Sequence, residues 1–214
     1  MDEDITAINT VTRNEKIKNF LINNKKKIII SLLIIIFTIL GYFVYDEIKE
    51  RNFLKIANQY NNSKINFTTG NSLNTEKEMI RIIKSKNKTY SPLALYFLLD
   101  NQIISSTEMI NELFDLVIND VKLDKEIKNL VIYKKALYNS DFGNENSLLT
   151  ILNPIINSDS VWKSHALYLL GEYFFSKNEK QKSREFYEKI LILKNSNSKI
   201  KLEAQKRIQR DFSE

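Results

Sequence analysis

The sequence predicts an all-α protein in which one N-terminal transmembrane helix precedes a solenoid of paired helices. Residues 28–45 carry no charged side chain, and a helix of this length spans about 27 Å, close to the hydrocarbon thickness of a bilayer. The chain of 214 residues contains 4 glycines and 2 prolines, too few for a turn-rich β architecture. Elsewhere, apolar residues recur at helical spacing.

The apolar segment has two other interpretations, a buried core helix and a cleaved signal sequence. A core helix of a soluble protein would carry a polar stripe, whereas this segment has only Ser31 and Thr38. A signal sequence would end in small residues at its cleavage site. The segment ends instead in Tyr42, Phe43 and Tyr45, so we expect an uncleaved membrane anchor.

Charges on the two sides of the anchor indicate its orientation. Lys25–Lys27 lie directly before it, and further basic residues precede them, namely Arg13, Lys16 and Lys18. The first residues after it are acidic, Asp46 and Glu47, with Lys49 and Arg51 beyond. Because cytoplasmic flanks are enriched in lysine and arginine, we expect the N-terminus in the cytoplasm and the C-terminal part outside it.

These boundaries divide the chain into three predicted segments. Residues 1–27 form a cytoplasmic tail, residues 28–45 the transmembrane helix, and residues 46–214 a helical-repeat domain outside the cytoplasm. The lysines before the span are suited to anionic headgroups, so membrane lipid is a predicted partner through the anchor.

Composition and motifs restrict the chemistry of the chain. It contains no cysteine, so disulfides and thiolate metal sites are excluded. The formal net charge is +6, but the lysines are scattered among glutamates without a basic–aromatic cluster, so we expect no nucleic-acid partner. Neither a Gly-rich phosphate loop nor an H-E-x-x-H motif occurs, so we predict no cofactor and no metal.

The first part of the domain is predicted from apolar spacing and from helix-start signals. A helix continues from Asp46 to about Asn61, and a polar run predicts a loop over 62–74. Thr75 and Glu78 then form the pattern of a capping box, which predicts the start of a short helix.

Proline and serine mark the next starts. Ser91 followed by Pro92 is typical of a cap with proline in the first turn, and a helix is expected over 93–104. Ser105 opens the following helix as the first residue of another capping-box pattern, and Asp124 opens the one after it.

The last two helical pairs have the clearest pattern. The earlier pair comprises helices over 124–139 and 147–157, and the later pair comprises helices over 162–176 and 181–193. A final helix from Lys199 has one apolar side and one charged side, as a terminal capping helix requires.

These two pairs repeat with a period of about 35 residues, near the tetratricopeptide period. Leu167 then aligns with Ile132, and Gly171 aligns with Ala136. A small residue lets two helices approach closely, so we expect Gly171 to lie where the helices of its pair cross. A generic helical bundle is the other interpretation of the same spacing.

The later pair resembles the tetratricopeptide signature at several positions, namely Leu170, Gly171, Phe174, Tyr187 and Ile190. It departs from the signature at Ser183, where alanine is usual, and at Asn195, where proline is usual. The earlier pair is degenerate, with Lys135 in place of the usual leucine.

The whole layout resembles the tetratricopeptide-like family of the ancillary SecYEG translocon subunit (YfgM-like, single-pass inner-membrane proteins). Besides the later pair with Glu172, Arg184 and Leu191, the resemblance rests on the sequence of residues 16–20 before the span and on Gly41 to Phe43 at its end. It implies a degenerate tetratricopeptide-like α-solenoid in the periplasm, anchored in the bacterial inner membrane. It also implies association with the translocon and with periplasmic chaperones.

No set of residues in the sequence predicts catalysis. His165 is the single histidine, and no Ser/His/Asp set accompanies it. It is expected either as a contact in a binding groove or as a packed or solvent-facing side chain. Glu126 and Glu145 are interpreted as solvated surface acids. We therefore expect no enzyme, since an enzyme of unrecognised type would need a pocket of convergent titratable residues.

The predicted function is that of a membrane-anchored protein-interaction scaffold, which assists the Sec translocon and periplasmic chaperones in handling exported proteins. Stacked repeats form a concave surface suited to peptides and partner domains. In the repeat alignment this surface includes Tyr133, His165, Tyr168 and Glu172. The alternative is an envelope or cell-division scaffold of the tetratricopeptide class, unrelated to the translocon.

Overall fold

The structure, a computed structural model, describes residues 15–70 and 72–212. These residues form ten helices and no strand, which confirms the predicted all-α class. The chain divides into two compact units, Met1–Lys55 and Ile56–Glu214, here called the N-terminal unit and the C-terminal unit. The first half of the predicted tail, including Arg13, lies outside the described residues.

Two helices begin the described chain, α1 over residues 15–23 and α2 over Lys25–Thr68. Helix α2 contains an 18-residue window that is long and apolar enough to cross a membrane, and none of that window is buried. A helix that is apolar around its whole circumference is stable either inside a protein core or in lipid. Because the side chains of this window are exposed, it is not a core helix within the described part of the chain.

The C-terminal unit contains the last turns of α2 and eight further helices. In chain order they are α3 (Ser72–Lys84), α4 (Tyr90–Asp100), α5 (Thr107–Asp120), α6 (Lys125–Asn139), α7 (Glu145–Ile156), α8 (Lys163–Ser176), α9 (Lys180–Ile192) and α10 (Ser198–Asp211).

Each of these helices packs against the next one in the chain, and several also contact the next but one. The second kind of contact joins α3 to α5, α6 to α8 and α8 to α10. The core follows the same order in three consecutive clusters: the first is formed mainly by α3, α4 and α5, the second by α6, α7 and α8, and the third by α8, α9 and α10. Local packing of this kind builds one core from short helices that could not be stable alone.

The predicted loop over 62–74 is wrong. Helix α2 continues to Thr68, and α3 begins at Ser72. Ser63 and Thr75 are both buried, and the Thr75 hydroxyl donates to the carbonyl oxygen of Ser63 at 3.3 Å. Thr75 therefore links two helices instead of capping one, because tertiary contact overrides the polar composition of this stretch.

Two of the predicted helix starts are also shifted. Ser91 lies inside the first turn of α4, where its buried hydroxyl donates to the carbonyl oxygen of Ile82 at 3.1 Å. Ser106 rather than Ser105 caps α5, since its hydroxyl accepts the amide of Met109 at 3.2 Å. Ser106 thus satisfies a helix-end group that the sequence pattern assigns to Ser105, whereas Ser91 satisfies a carbonyl of the preceding helix.

Helix α4 is shorter than the predicted helix over 93–104, because it ends at Asp100. Gln102 adopts a positive φ of 50°, and the amide of Ile103 donates to the carbonyl oxygen of Leu98 at 3.0 Å. This is the Schellman pattern, in which a left-handed residue closes the last helical turn.

The later helical pair agrees with its prediction to within one residue at each end. Helix α8 crosses α9 at Gly171, as predicted: a Cβ atom added there would lie 2.5 Å from Cε1 of Tyr187. The buried Ser183 hydroxyl also donates to the carbonyl oxygen of Gly171 at 2.8 Å. A serine at this usual alanine position thus adds a hydrogen bond between the two helices.

Candidate protein-interaction surface

The four residues predicted for partner binding fall into two separate clusters. Tyr133 and His165 belong to an aromatic cluster with Trp162, between α6 and the start of α8. Tyr168 and Glu172 belong to a polar network between α8, α9 and α10. All four side chains are partly buried, so each has both a packing role and some accessible surface.

The aromatic cluster is formed by three neighbouring rings. Tyr133 stacks on Trp162 at a centroid distance of 5.8 Å and an interplanar angle of 22°. His165 lies 5.0 Å from Trp162 and meets Tyr133 edge-on at 5.9 Å. Offset stacking and edge-on contacts are favourable arrangements for aromatic rings. The cluster therefore joins α6 to α8 while leaving parts of the rings exposed.

The surroundings of His165 favour its neutral form. Burial lowers the pKa of the imidazole because the charged form loses hydration, and the nearby carbonyl of Val161 opposes this shift only in part. Its Nδ1 atom is buried and has no hydrogen-bond partner within the described part of the chain. A neutral ring packed on two aromatic side chains matches the expectation of a packed histidine.

Glu172 is the centre of the polar network. Its Oε1 accepts the Tyr187 hydroxyl at 2.7 Å and Nε of Arg207 at 2.7 Å, and its Oε2 accepts Nη2 of Arg207. A bidentate arginine–carboxylate pair is among the strongest polar contacts in proteins. Glu172 therefore fastens α10 to α8 and orients the buried ring of α9.

The pKa shifts of this network agree with its geometry. Burial raises the pKa of the Tyr187 phenol, and its hydrogen bond to Glu172 raises it further. Burial opposes the charge of Arg207, but hydrogen bonds with Glu172, Tyr168 and Asp211 outweigh it, so the pKa of Arg207 is raised. Hydrogen bonding by Arg210 and Arg207 lowers the pKa of Asp211 to about 2.

Sequence reasoning missed Arg207, although a signal for it was present. Arg207 lies 35 residues after Glu172, which is the repeat period found for the last two pairs. Extending the alignment into α10 would have placed Arg207 over Glu172. Trp162 is the partly exposed N-cap residue of α8 and packs against the second core cluster.

The interpretation of two glutamates as solvated surface acids is wrong for Glu126 but holds for Glu145, whose side chain is 38% exposed. Glu126 accepts the Ser160 hydroxyl at 2.7 Å and the Val161 amide at 3.2 Å, which fixes the turn before α8. Glu145 accepts Nζ of Lys182 at 3.0 Å, joining the start of α7 to α9. Both acids are thus structural contacts between consecutive helical pairs.

A third feature is an apolar groove between the first turns of α4 and α6, here called the α4–α6 groove. Its volume is about 430 Å³. It is lined by apolar side chains with a few polar residues at the edge: Pro92, Leu93, Tyr96, Leu123, Ile127 and Leu130, with Lys88, Thr89 and Asp124. The sequence did not predict it, because its two walls are separated along the chain.

Comparison with known proteins finds no family model, no curated protein and no solved structure that matches the chain. No group of three His, Asp or Glu side chains suited to a metal ion occurs among residues 15–70 and 72–212. The function is therefore inferred from the chain's own helices, clusters and groove.

Proposed function

We propose that this protein is a membrane-anchored protein-interaction scaffold without catalytic activity, built from tetratricopeptide-like repeats. Its N-terminus faces the cytoplasm, and its C-terminal unit faces the periplasm of a bacterial inner membrane. There it assists the Sec translocon and periplasmic chaperones in handling exported proteins. The proposal depends mainly on one observation: the chain combines an 18-residue apolar helical segment, none of which is buried, with a unit of consecutively packed helices.

Matching burial in the two aligned pairs supports the repeat. Leu152 and Tyr187 are both fully buried, and so are Ile155 and Ile190. The small residues Ala136 and Gly171 occupy equivalent buried positions in α6 and α8. In repeat proteins each unit contacts its neighbours and the stack offers an extended binding face.

The aromatic cluster and the α4–α6 groove support a binding role for the C-terminal unit. Partner surfaces are recognised most strongly through aromatic and apolar anchors. Tethering to a membrane raises the effective concentration of such a face for partners at the same membrane. The choice of translocon and chaperones as partners comes from the resemblance of the layout to YfgM-like proteins.

Orientation can be tested by cysteine labelling, because the natural chain has no cysteine and gives no background. Asn19→Cys and Asn195→Cys place single thiols at exposed positions before and after the span. In intact spheroplasts a membrane-impermeant maleimide should label Asn195→Cys and not Asn19→Cys, and lysis should expose both. Labelling of Asn19→Cys alone in intact spheroplasts contradicts the proposed topology.

Partners can be tested by photo-crosslinking in living cells. A benzophenone amino acid in place of Tyr133 should form adducts with translocon subunits, chaperones or exported chains. The same amino acid in place of Ile192, which is 81% exposed but outside the aromatic cluster, is the matched control. Adducts confined to division or wall proteins would instead support the alternative, an envelope or cell-division scaffold.

A further inference from the structure

Two large aliphatic side chains remain open to solvent in the α4–α6 groove. Leu93 on α4 is 40% exposed, and Ile127 on α6 is 44% exposed. They face the same concavity of about 430 Å³, whose walls also include Pro92 and the Tyr96 ring. Concave apolar sites of this size bury ligand groups effectively, whereas single exposed aliphatic residues on a convex surface need no explanation.

The lining of this groove holds one lysine and one aspartate, and a second lysine lies beside the Tyr96 wall. Lys88 lies at its edge, and Nζ of Lys134 lies 4.6 Å from the centroid of the Tyr96 ring that forms one wall. Neither lysine has a carboxylate partner among the described residues, where the ion pairs involve other lysines and arginines. Asp124 is the one acid among the lining residues. The two lysines without a carboxylate partner favour a ligand that carries carboxylates beside its apolar groups.

We propose that the α4–α6 groove binds a segment of a partner polypeptide in which leucine-like side chains lie next to glutamate or aspartate. The aliphatic side chains occupy the space between Leu93 and Ile127, and the carboxylates meet Lys88 and Lys134. This inference rests on the proposed scaffold function and specifies which sequences the scaffold would hold. An unfolded or partly folded chain exposes such segments, whereas a folded protein buries its apolar side chains.

The test uses the full chain in phosphatidylcholine nanodiscs and a short fluorescein-labelled peptide of leucine, glutamate and serine. Fluorescence anisotropy should show saturable binding to the natural chain. The variant Leu93→Ser with Ile127→Ser should bind about tenfold more weakly, because it removes two apolar contacts. Lys88→Glu with Lys134→Glu should also weaken binding by about tenfold at low salt. All four side chains are at least partly exposed, so these changes should leave the fold intact.

A matched control and two altered peptides separate the outcomes. Ile192→Ser removes an exposed aliphatic side chain outside the groove and should bind like the natural chain. Peptides with serine for leucine, or with lysine for glutamate, should bind at least about tenfold more weakly. The proposal is overturned if the glutamate peptide fails to bind the natural chain, binds the groove variants equally, or is matched by the lysine peptide.

Failure of the groove proposal can be distinguished from failure of the scaffold proposal. If the serine variants lose the peptide but keep photo-crosslinks from position 133, the groove is one binding site of a larger scaffold. If crosslinks persist while no variant affects peptide binding, the scaffold proposal survives and the groove proposal is wrong. Oleate binding to the same variants gives one further outcome. If oleate binds the natural chain and binds the serine variants more weakly, while no peptide binds, the groove is a lipid site and the peptide proposal is wrong.

Discussion

Gly171→Ala would place a methyl group against the ring on which α8 and α9 cross. The added Cβ would lie 2.5 Å from Cε1 of Tyr187 and 2.9 Å from Cδ1 and Cζ. The ring is fully buried, and its hydroxyl is bound to Glu172 at 2.7 Å. Because the ring cannot turn towards solvent without losing that hydrogen bond, the two helices must move apart.

The expected cost follows from two opposing effects. Inserting a methyl group into a well-packed core costs about 1–3 kcal/mol, and weakening the Tyr187–Glu172 hydrogen bond adds about 1 kcal/mol. In the opposite direction, the higher helix propensity of alanine relative to glycine stabilises the folded chain by about 1 kcal/mol. We therefore expect Gly171→Ala to lower the free energy of unfolding by about 2 kcal/mol, a large part of a typical domain stability.

The measurement is urea unfolding of the full chain in detergent micelles, followed by tryptophan fluorescence. Trp162 is the single tryptophan and stacks on Tyr133 at the α6–α8 contact, so its signal reports on the C-terminal unit. A double-mutant cycle with Tyr187→Leu is the control, because the smaller side chain should make the alanine less costly. A Gly171→Ala variant as stable as the natural chain, or a cycle without coupling, would refute the steric reasoning.

Three further substitutions test the other contacts by the same unfolding assay. Tyr96→Phe should keep the free energy of unfolding or raise it by up to about 1 kcal/mol, because the buried hydroxyl has no hydrogen-bond partner in the described residues; a loss of stability would reveal a partner. Arg207→Met should lower the free energy of unfolding by about 1–3 kcal/mol and speed proteolysis of α10, because the Glu172 carboxylate loses its bidentate partner. The control Lys206→Met removes an exposed ion pair and should change the free energy of unfolding by less than about 0.5 kcal/mol. The pKa of His165 is lowered in the folded chain, so its contribution to stability is complete above the unfolded pKa of about 6.5 and is lost as pH falls from there towards the lower folded pKa. His165→Gln should therefore flatten the dependence of the free energy of unfolding on pH between about pH 7 and 5. An unchanged slope would assign the pH dependence to other groups.

Much of the fold could be predicted because it depends on local pattern. Composition and apolar spacing over a few helical turns are enough to predict the apolar stretch of residues 28–45 and the helices of the later pair. Gly171 could be assigned to the helix crossing because a small residue recurs at this position of the repeat and lets two helices approach closely. The repeat interpretation and the partners remain proposals.

The candidate site was less predictable, because it is assembled from distant parts of the chain. Tyr133 and His165 do come together, in contact with each other and with Trp162. Glu172 is occupied by Arg207 of the final helix, so its surroundings were not visible from its own helix. Leu93 and Ile127 form a groove only after α4 and α6 are brought side by side.

The sequence by itself determined the helical class, the apolar segment and the approximate ends of the last helices. These properties arise from hydrophobic periodicity and from the conformational preferences of single residues, which act over one or two turns. Tertiary structure decided where α2 ends, which hydroxyls cap helices and which join them, and which acids are paired. Those outcomes depend on groups such as Ser63 and Thr75 meeting across helices, where burial makes an unpaired polar atom costly.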